Sequence, residues 1–202
     1  REQQTIQPDD KNFAGVVFKV QANMDPNHRD RIAFVRVASG KYQPGMKMRV
    51  QRTGKELRPT SVVTFMSQRR EAVDEAYAGD IIGFTIHGGV QLGDSITDGP
   101  SLQFTGLPFF APEMFMTVVL KNPLRTKQLQ QGLMQLGEEG AIQVFRPEAG
   151  GNMLLGAVGQ LQFEVVQHRL KTEYDCDVRL EGCQYTGARW ISADTPAQLR
   201  EF

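Results

Sequence analysis

The chain has 202 residues, 40% of them hydrophobic, with 23 Lys and Arg balancing 23 Asp and Glu. That size accommodates one large or two small domains with ordinary cores. No apolar run approaches the roughly 18 residues of a membrane span and no charged-then-apolar segment resembles a signal peptide, so a cytoplasmic protein with no membrane partner is expected. Cys176 and Cys183 lack the short Cys-x-x-Cys spacing of a structural zinc site. Free thiols are expected, the alternative being a local disulfide across adjacent strands in an oxidising compartment.

The balanced total hides an uneven distribution. Residues 29–70 hold eleven Lys or Arg against Asp30 and Glu56, whereas residues 71–102 hold six acids and no Lys or Arg. Two readings follow: the segments pair across strands and cancel, or a basic stripe faces nucleic-acid phosphates.

In chain order, residues 13–21 are predicted as the first strand, with Val16, Phe18 and Val20 on one face. The turn-rich residues 23–30 then deliver Arg29 and Arg31 to the stretch around which the first half is organised. Residues 31–50 read as two strands joined across residues 40–45, with Pro44-Gly45 as a type II-like turn. On the first strand Ala33, Val35 and Val37 share the core face, which sets Ile32, Phe34 and Arg36 outward. On the second, Met46, Met48 and Val50 alternate with outward Lys47, Arg49 and Gln51. Residues 57–66 are predicted as a strand despite Pro59, which suits an edge or bulge. Residues 68–78 read as charged and irregular. Gly79-Asp80 opens a strand with Ile82, Phe84 and Ile86 inward, and Gly93-Asp94 opens another. These short strands between Gly and Pro turns predict a closed antiparallel barrel over residues 1–105.

Residues 98–112 form a linker with three prolines and the aromatics Phe104, Phe109 and Phe110. A strand at 114–120 precedes a helix beginning at Pro123 with Asn122 as cap, Leu129, Leu133 and Leu136 inward, and a stop at Gly140. Strands at 141–146 and 153–158 flank a Gly150-Gly151-Asn152 turn. A helix at 160–174 buries Val166, Leu170 and Tyr174, and a strand at 177–180 completes βαββαβ, the ferredoxin-like split fold, within residues 106–202. Asp194-Thr195-Pro196 starts a further helix. The absence of Met at residue 1 and the brevity of that last helix lead the reading to expect a longer protein at both ends.

Catalytic chemistry is not predicted. A phosphate loop needs Gly-x-x-x-x-Gly-Lys-Ser/Thr, but Gly40-Lys41 has Val35 at the first Gly and Gly54-Lys55 has Arg49 there. His28, His87 and His168 are scattered, so no metal site and no cofactor of the chain's own is expected.

Phe34-Val-Arg-Val-Ala-Ser-Gly40 through Pro44-Gly45, Glu75-Ala-Tyr-Ala-Gly-Asp80 and Gly93-Asp94 resemble the second domain of the elongation factor G superfamily. Gly156-Ala-Val-Gly-Gln-Leu-Gln-Phe-Glu-Val-Val166, Gln21-Ala-Asn-Met-Asp-Pro26, His28-Arg-Asp-Arg31, Val144-Phe-Arg-Pro147 and Ala188-Arg-Trp190 resemble the bacterial class II release factors of that superfamily. The resemblance covers roughly residues 12–200. It implies a translation-factor β-barrel followed by a ferredoxin-like domain, monomeric and without the GTP-binding domain, which would carry GTP or GDP with Mg. It further implies a ribosome partner through rRNA and ribosomal proteins, class I release factors as functional partners, and a GTPase parent whose nucleotide state this body relays.

Arg29, Arg31, Arg36, Lys47 and Arg49 are the candidate ribosome contacts. Ile32, Phe34, Phe104, Phe109 and Phe110 are candidate contacts to the GTPase domain. The alternatives are a piece of an elongation factor G-like or ribosome-protection GTPase, and a free-standing RNA-binding or scaffolding module.

Overall fold

A computed structural model describes residues 5–22, 31–59, 62–66, 69–72, 74–86, 89–148 and 150–201. The chain folds as two compact units, the first of residues 1–108 together with Glu138–Gly140, the second of the rest from Phe109 onward.

The first unit is all β. Its strands are β1 (Ala14–Ala22), β2 (Arg31–Ser39), β3 (Lys41–Tyr42), β4 (Met48–Val50), β5 (Glu56–Leu57), β6 (Val62–Met66), β7 (Arg69–Ala72), β8 (Ala76–Tyr77), β9 (Ile81–Ile86) and β10 (Ser95–Thr97). Among the described residues, eight of them form one antiparallel sheet in the order β5-β4-β10-β1-β2-β9-β6-β7, and β3 pairs with β8 as a separate ribbon. The sheet curls around a core that includes Phe13, Val17, Val35, Met48, Ile82 and Ile96. Each fully buried side chain of this kind contributes about 1.5–3 kcal/mol.

β4 and most of β2 follow the alternation of faces expected, Ile32 being buried where an outward residue is expected, but the pairing of the two strands does not follow. The expected hairpin is absent: β2 lies between β1 and β9, and β4 lies between β10 and β5. The cause sits at Gly40, whose φ of +66° turns the chain away from β2 and toward the β3–β8 ribbon. Pro44-Gly45 does form a turn, closed by the Met46 amide donating to the Gln43 carbonyl at 3.2 Å.

β1 carries a second correction. Val17 and Val20 are buried while Phe18 is 36% exposed, because the register with β2 shifts between Val17 and Lys19. That bulge adds one residue to one strand, so parity changes sides and the expected Val16, Phe18, Val20 face is broken. Residues 57–66 are two strands, β5 and β6, at separate places in the sheet, parted around Pro59, which cannot donate to a ladder. Residues 68–78 contain β7 and β8 where an irregular segment is expected.

The second unit comprises β11 (Met114–Leu120), a 3-10 turn (Pro123–Arg125), α1 (Thr126–Glu138), β12 (Gln143–Phe145), β13 (Leu154–Ala157), α2 (Gln160–Tyr174), β14 (Val178–Gly182) and α3 (Pro196–Glu201). Its antiparallel sheet runs β12-β13-β11-β14, the order of the ferredoxin-like split fold. The Leu124 amide donates to Asn122 Oδ1 at 3.1 Å, and Leu129, Leu133 and Leu136 are buried beneath α1. Helix α2 contributes Phe163, Val166 and Leu170, with Tyr174 at the margin of the core. The helices meet at Gly132, where a Cβ would lie 2.9 Å from both Leu170 Cδ2 and Tyr174 Cγ.

Both cysteines are free. Cys176 is fully buried, which raises its thiol pKa, and Cys183 is half-buried. A thiol reagent under native conditions is therefore expected to titrate Cys183 readily and Cys176 only on unfolding, because the thiolate is the nucleophile. Equal native rates for the two, resolved by peptide mapping, would contradict the buried placement.

Candidate nucleic-acid interface

The expected basic stripe divides in the structure. On β4 and β5, Arg49 stands opposite Glu56 while Met48 stands opposite Leu57, which sets Lys47, Arg49 and Glu56 on the outer face. Arg58 joins them, its Nε donating to Glu56 Oε1 at 2.7 Å. Lys47, Arg49 and Arg58 are all exposed and share this single carboxylate. The Arg58 hydrogen bond, aided by the charges of Lys47 and Arg49, holds the Glu56 carboxyl below its ordinary pKa. Arg58 was not among the candidates from sequence, because Pro59 beside it obscured the end of β5.

Arg36 is exposed on β2, between Val16 and Ile81 on the neighbouring strands. Three strand spacings separate β2 from β4, about 14 Å measured across a sheet. Residues 98–104 lie over β10 between them. The Thr97 hydroxyl donates to the Pro100 carbonyl at 3.3 Å, and the Phe104 amide donates to Ser95 Oγ at 2.8 Å. Ser95 and Thr97 have outward parity, yet this strap buries them.

The other cations are placed differently. Arg31 is buried, only 5% exposed, which removes it from the set a phosphate can reach. Arg29 lies outside the described residues, as do His28 and His87. Arg52 forms a two-point ion pair with buried Asp94, Nε to Oδ1 at 2.7 Å and Nη2 to Oδ2 at 3.0 Å. Lys41 is bonded to Glu75, whose second oxygen accepts from the Tyr77 hydroxyl at 2.6 Å. Cancellation between basic and acidic segments therefore holds for Lys41 and Arg52, while Lys47, Arg49 and Arg58 keep an excess of positive charge. Nor does Gly40-Lys41 cradle an anion, since the Gly40 backbone is packed on Asn12 and Lys41 is engaged by Glu75.

Of the apolar candidates, Ile32 is buried, 8% exposed, where an outward residue was expected. Phe34 is half-buried, edge-on to Phe18 at 6.4 Å with Lys19 Nζ 5.2 Å from its ring centre. Phe18 and Lys19 escaped the sequence reading because the bulge that turns them outward leaves no mark in the period-2 pattern. Phe104 is half-buried in the first unit; Phe109 and Phe110 are exposed in the second.

Two motif segments have structural roles here. In residues 156–166, Gln162 caps α2, its Oε1 accepting from the Val158 amide at 2.8 Å and the Gly159 amide at 3.3 Å. Its Nε2 donates to the Ala141 carbonyl at 3.3 Å and so ties the helix start to the approach to β12. In Gly79-Asp80 and Gly93-Asp94 the carboxylate accepts the amide three residues back, Tyr77 at 2.8 Å and Gln91 at 2.8 Å, closing equivalent turns ahead of β9 and β10.

The chain thus joins a curled antiparallel sheet to a ferredoxin-like unit. Residues 12–99 match the family model for elongation factor G domain 2, and residues 104–202 match that for the class II release factor RF3 C-terminal domain. Peptide chain release factor 3 of Bordetella pertussis is 68% identical over 198 residues, 98% of this chain and 37% of that relative. The Nitrosomonas europaea protein of the same name is 61% identical over 200 residues, 99% of this chain and 37% of that relative. A crystal structure of a Thermus thermophilus protein superposes with a TM-score of 0.69 at 26% identity, covering 85% of this chain and 26% of that one. The chain belongs to the peptide chain release factor 3 family, and it spans 37% of the length of the curated relatives it matches.

Proposed function

We propose that the protein carrying this chain acts on the ribosome in the cytoplasm during translation termination, using GTP to promote dissociation of class I release factors. A separate domain binds GTP or GDP with Mg. The two units described here form a noncatalytic body that attaches to the ribosome and relays nucleotide state as a change in domain arrangement. The observation that carries this reading is the unbroken match to peptide chain release factor 3 across both units. Lys47, Arg49, Arg58 and Arg36 are the residues offered for backbone-directed rRNA contact, and Phe34, Phe104, Phe109 and Phe110 for contact with the nucleotide domain.

The test uses the full-length protein and ribosomes carrying a labelled class I factor after peptide hydrolysis. Dissociation accelerated by protein and GTP together is expected; a rate equal to the factor-free control would overturn the reading. Calorimetric titration of the 202-residue chain with GTP or GDP is expected to show no heat of binding. Micromolar affinity would contradict the placement of the nucleotide on a separate domain.

A further inference from the structure

The sheet of the second unit has one face covered by its helices and one that is not. Register sets Phe115, Thr117 and Val119 of β11, Leu154 and Gly156 of β13, and Gln143 and Phe145 of β12 on the second face. Phe115 and Phe145 are on strands separated by β13, yet their rings meet at 5.9 Å. Gly156 makes this possible: a Cβ there would fall 2.9 Å from Phe145 Cε2 and 2.8 Å from Pro112 Cβ. After β14, on the opposite edge, the chain returns to place Trp190 against Phe145 with ring centres 6.3 Å apart.

The result is a contiguous row of three aromatic rings ending in a tryptophan that is 69% exposed. Arg189 is exposed beside it, and Arg179 stands on the same sheet face with its side chain 67% exposed. Glu181, the one carboxylate that the strands place on this face, is ion-paired with Arg179.

We propose that this face is a stacking site for unpaired RNA bases, with Trp190 and Phe145 as the platform and Arg189 supplying charge for the phosphates. Aromatic rings on a four-stranded sheet offer flat surfaces that accept any base, and guanidinium groups add phosphate and stacking contacts. The combination of an exposed tryptophan stacked on half-buried Phe145, the Arg189 cation and a strand carboxylate already paired favours a polyanion with π faces over an acidic or purely apolar protein surface. This inference rests on the ribosome reading, since rRNA would supply the unpaired bases.

Trp190 is the only tryptophan in the sequence, so its emission reports the site directly. The 202-residue chain is titrated with a short unstructured RNA oligonucleotide, with inorganic polyphosphate of matched charge, and with an RNA-free extract of ribosomal proteins. Saturable quenching by the RNA alone is expected. Trp190→Ala and Phe145→Leu, confirmed folded by circular dichroism and followed by anisotropy of labelled RNA, should each weaken binding about tenfold. Arg189→Gln should weaken it while leaving the quenching at saturation in place.

Absence of quenching by RNA, equal quenching by polyphosphate, or unchanged affinity of folded Trp190→Ala would each overturn the proposal. Quenching by ribosomal proteins but not by RNA would overturn it in favour of a protein-docking face. Since the titration needs no ribosome, a factor that is active on ribosomes but whose Trp190 ignores RNA would sink this site and leave the termination reading standing.

Discussion

Replacing Gly40 with Ala is expected to lower the stability of the first unit by about 3 kcal/mol, combining a left-handed-backbone cost of ~1 kcal/mol with overpacking of ~2 kcal/mol. The residue has φ +66°, and a Cβ would lie 2.5 Å from the Asn12 carbonyl oxygen, 2.6 Å from its carbon and 2.7 Å from the Phe13 amide nitrogen. All three atoms are backbone, held by strand pairing and by the Ser39 hydroxyl donating to the same Asn12 carbonyl at 2.9 Å. No rotamer change can relieve the collision, so the approach to β1 must move. Gly45→Ala is the control, since φ there is +77° with nothing within 4 Å of the new Cβ. It should cost only about 1 kcal/mol. Thermal unfolding followed by circular dichroism compares them, with a fall of ~12–24 °C expected for Gly40→Ala at roughly 4–8 °C per kcal/mol. Equal shifts in the two variants would show that the Asn12 contact carries no energy.

Asp94→Ala should have the second largest effect, about 2–3 kcal/mol. The carboxylate is 3% exposed and accepts from Arg52 Nε, Arg52 Nη2 and the Gln91 amide. Its removal strands the Gln91 amide and releases the loop carrying Arg52 from the turn before β10. Breaking a fully buried pair costs about 3–5 kcal/mol, and the figure is reduced here because the Arg52 side chain is 43% exposed and solvent screens it. Asp94→Asn, which can still accept the Gln91 amide, should lose about half as much. Urea unfolding with a double-mutant cycle over Arg52→Gln isolates the pair itself, and a coupling near zero would mean that Asp94 acts only through the turn.

The second unit was nearly all legible in the sequence because its signals are local. Asn122 and Pro123 mark a helix start within three residues, the leucines at 129, 133 and 136 mark one face, and α2 runs over the residues its periodicity predicts. The first unit was legible in most of its inward and outward residues, Ile32 and Phe18 excepted, but not in its pairing. Period-2 alternation assigns a face without naming the neighbour, so β2 and β4 were joined when each belongs to other strands. A bulge of one residue was enough to reverse Phe18.

The candidate site shows the same limit. Lys47, Arg49 and Arg36 were placed outward correctly, but the burial of Arg31 and the hydrogen bonds by which residues 98–104 fold back over β10 leave no mark in the period-2 pattern. Trp190 was visible as a motif residue, yet its contact with Phe145 joins positions 45 residues apart, and Gly156 gains meaning only once Phe145 and Pro112 are packed over it.

The central claim, that this body attaches to the ribosome partly through the exposed cationic edge of β4 and β5, is tested most directly by the salt dependence of binding. The measurement compares the full-length protein with a Lys47→Gln, Arg49→Gln, Arg58→Gln variant in ribosome cosedimentation across a series of salt concentrations. With three phosphate contacts at ~0.7–0.9 each, the slope of log affinity against log salt should become shallower by about 2 in the variant. An unchanged slope in a folded variant would contradict the account and leave this edge as a solvated face.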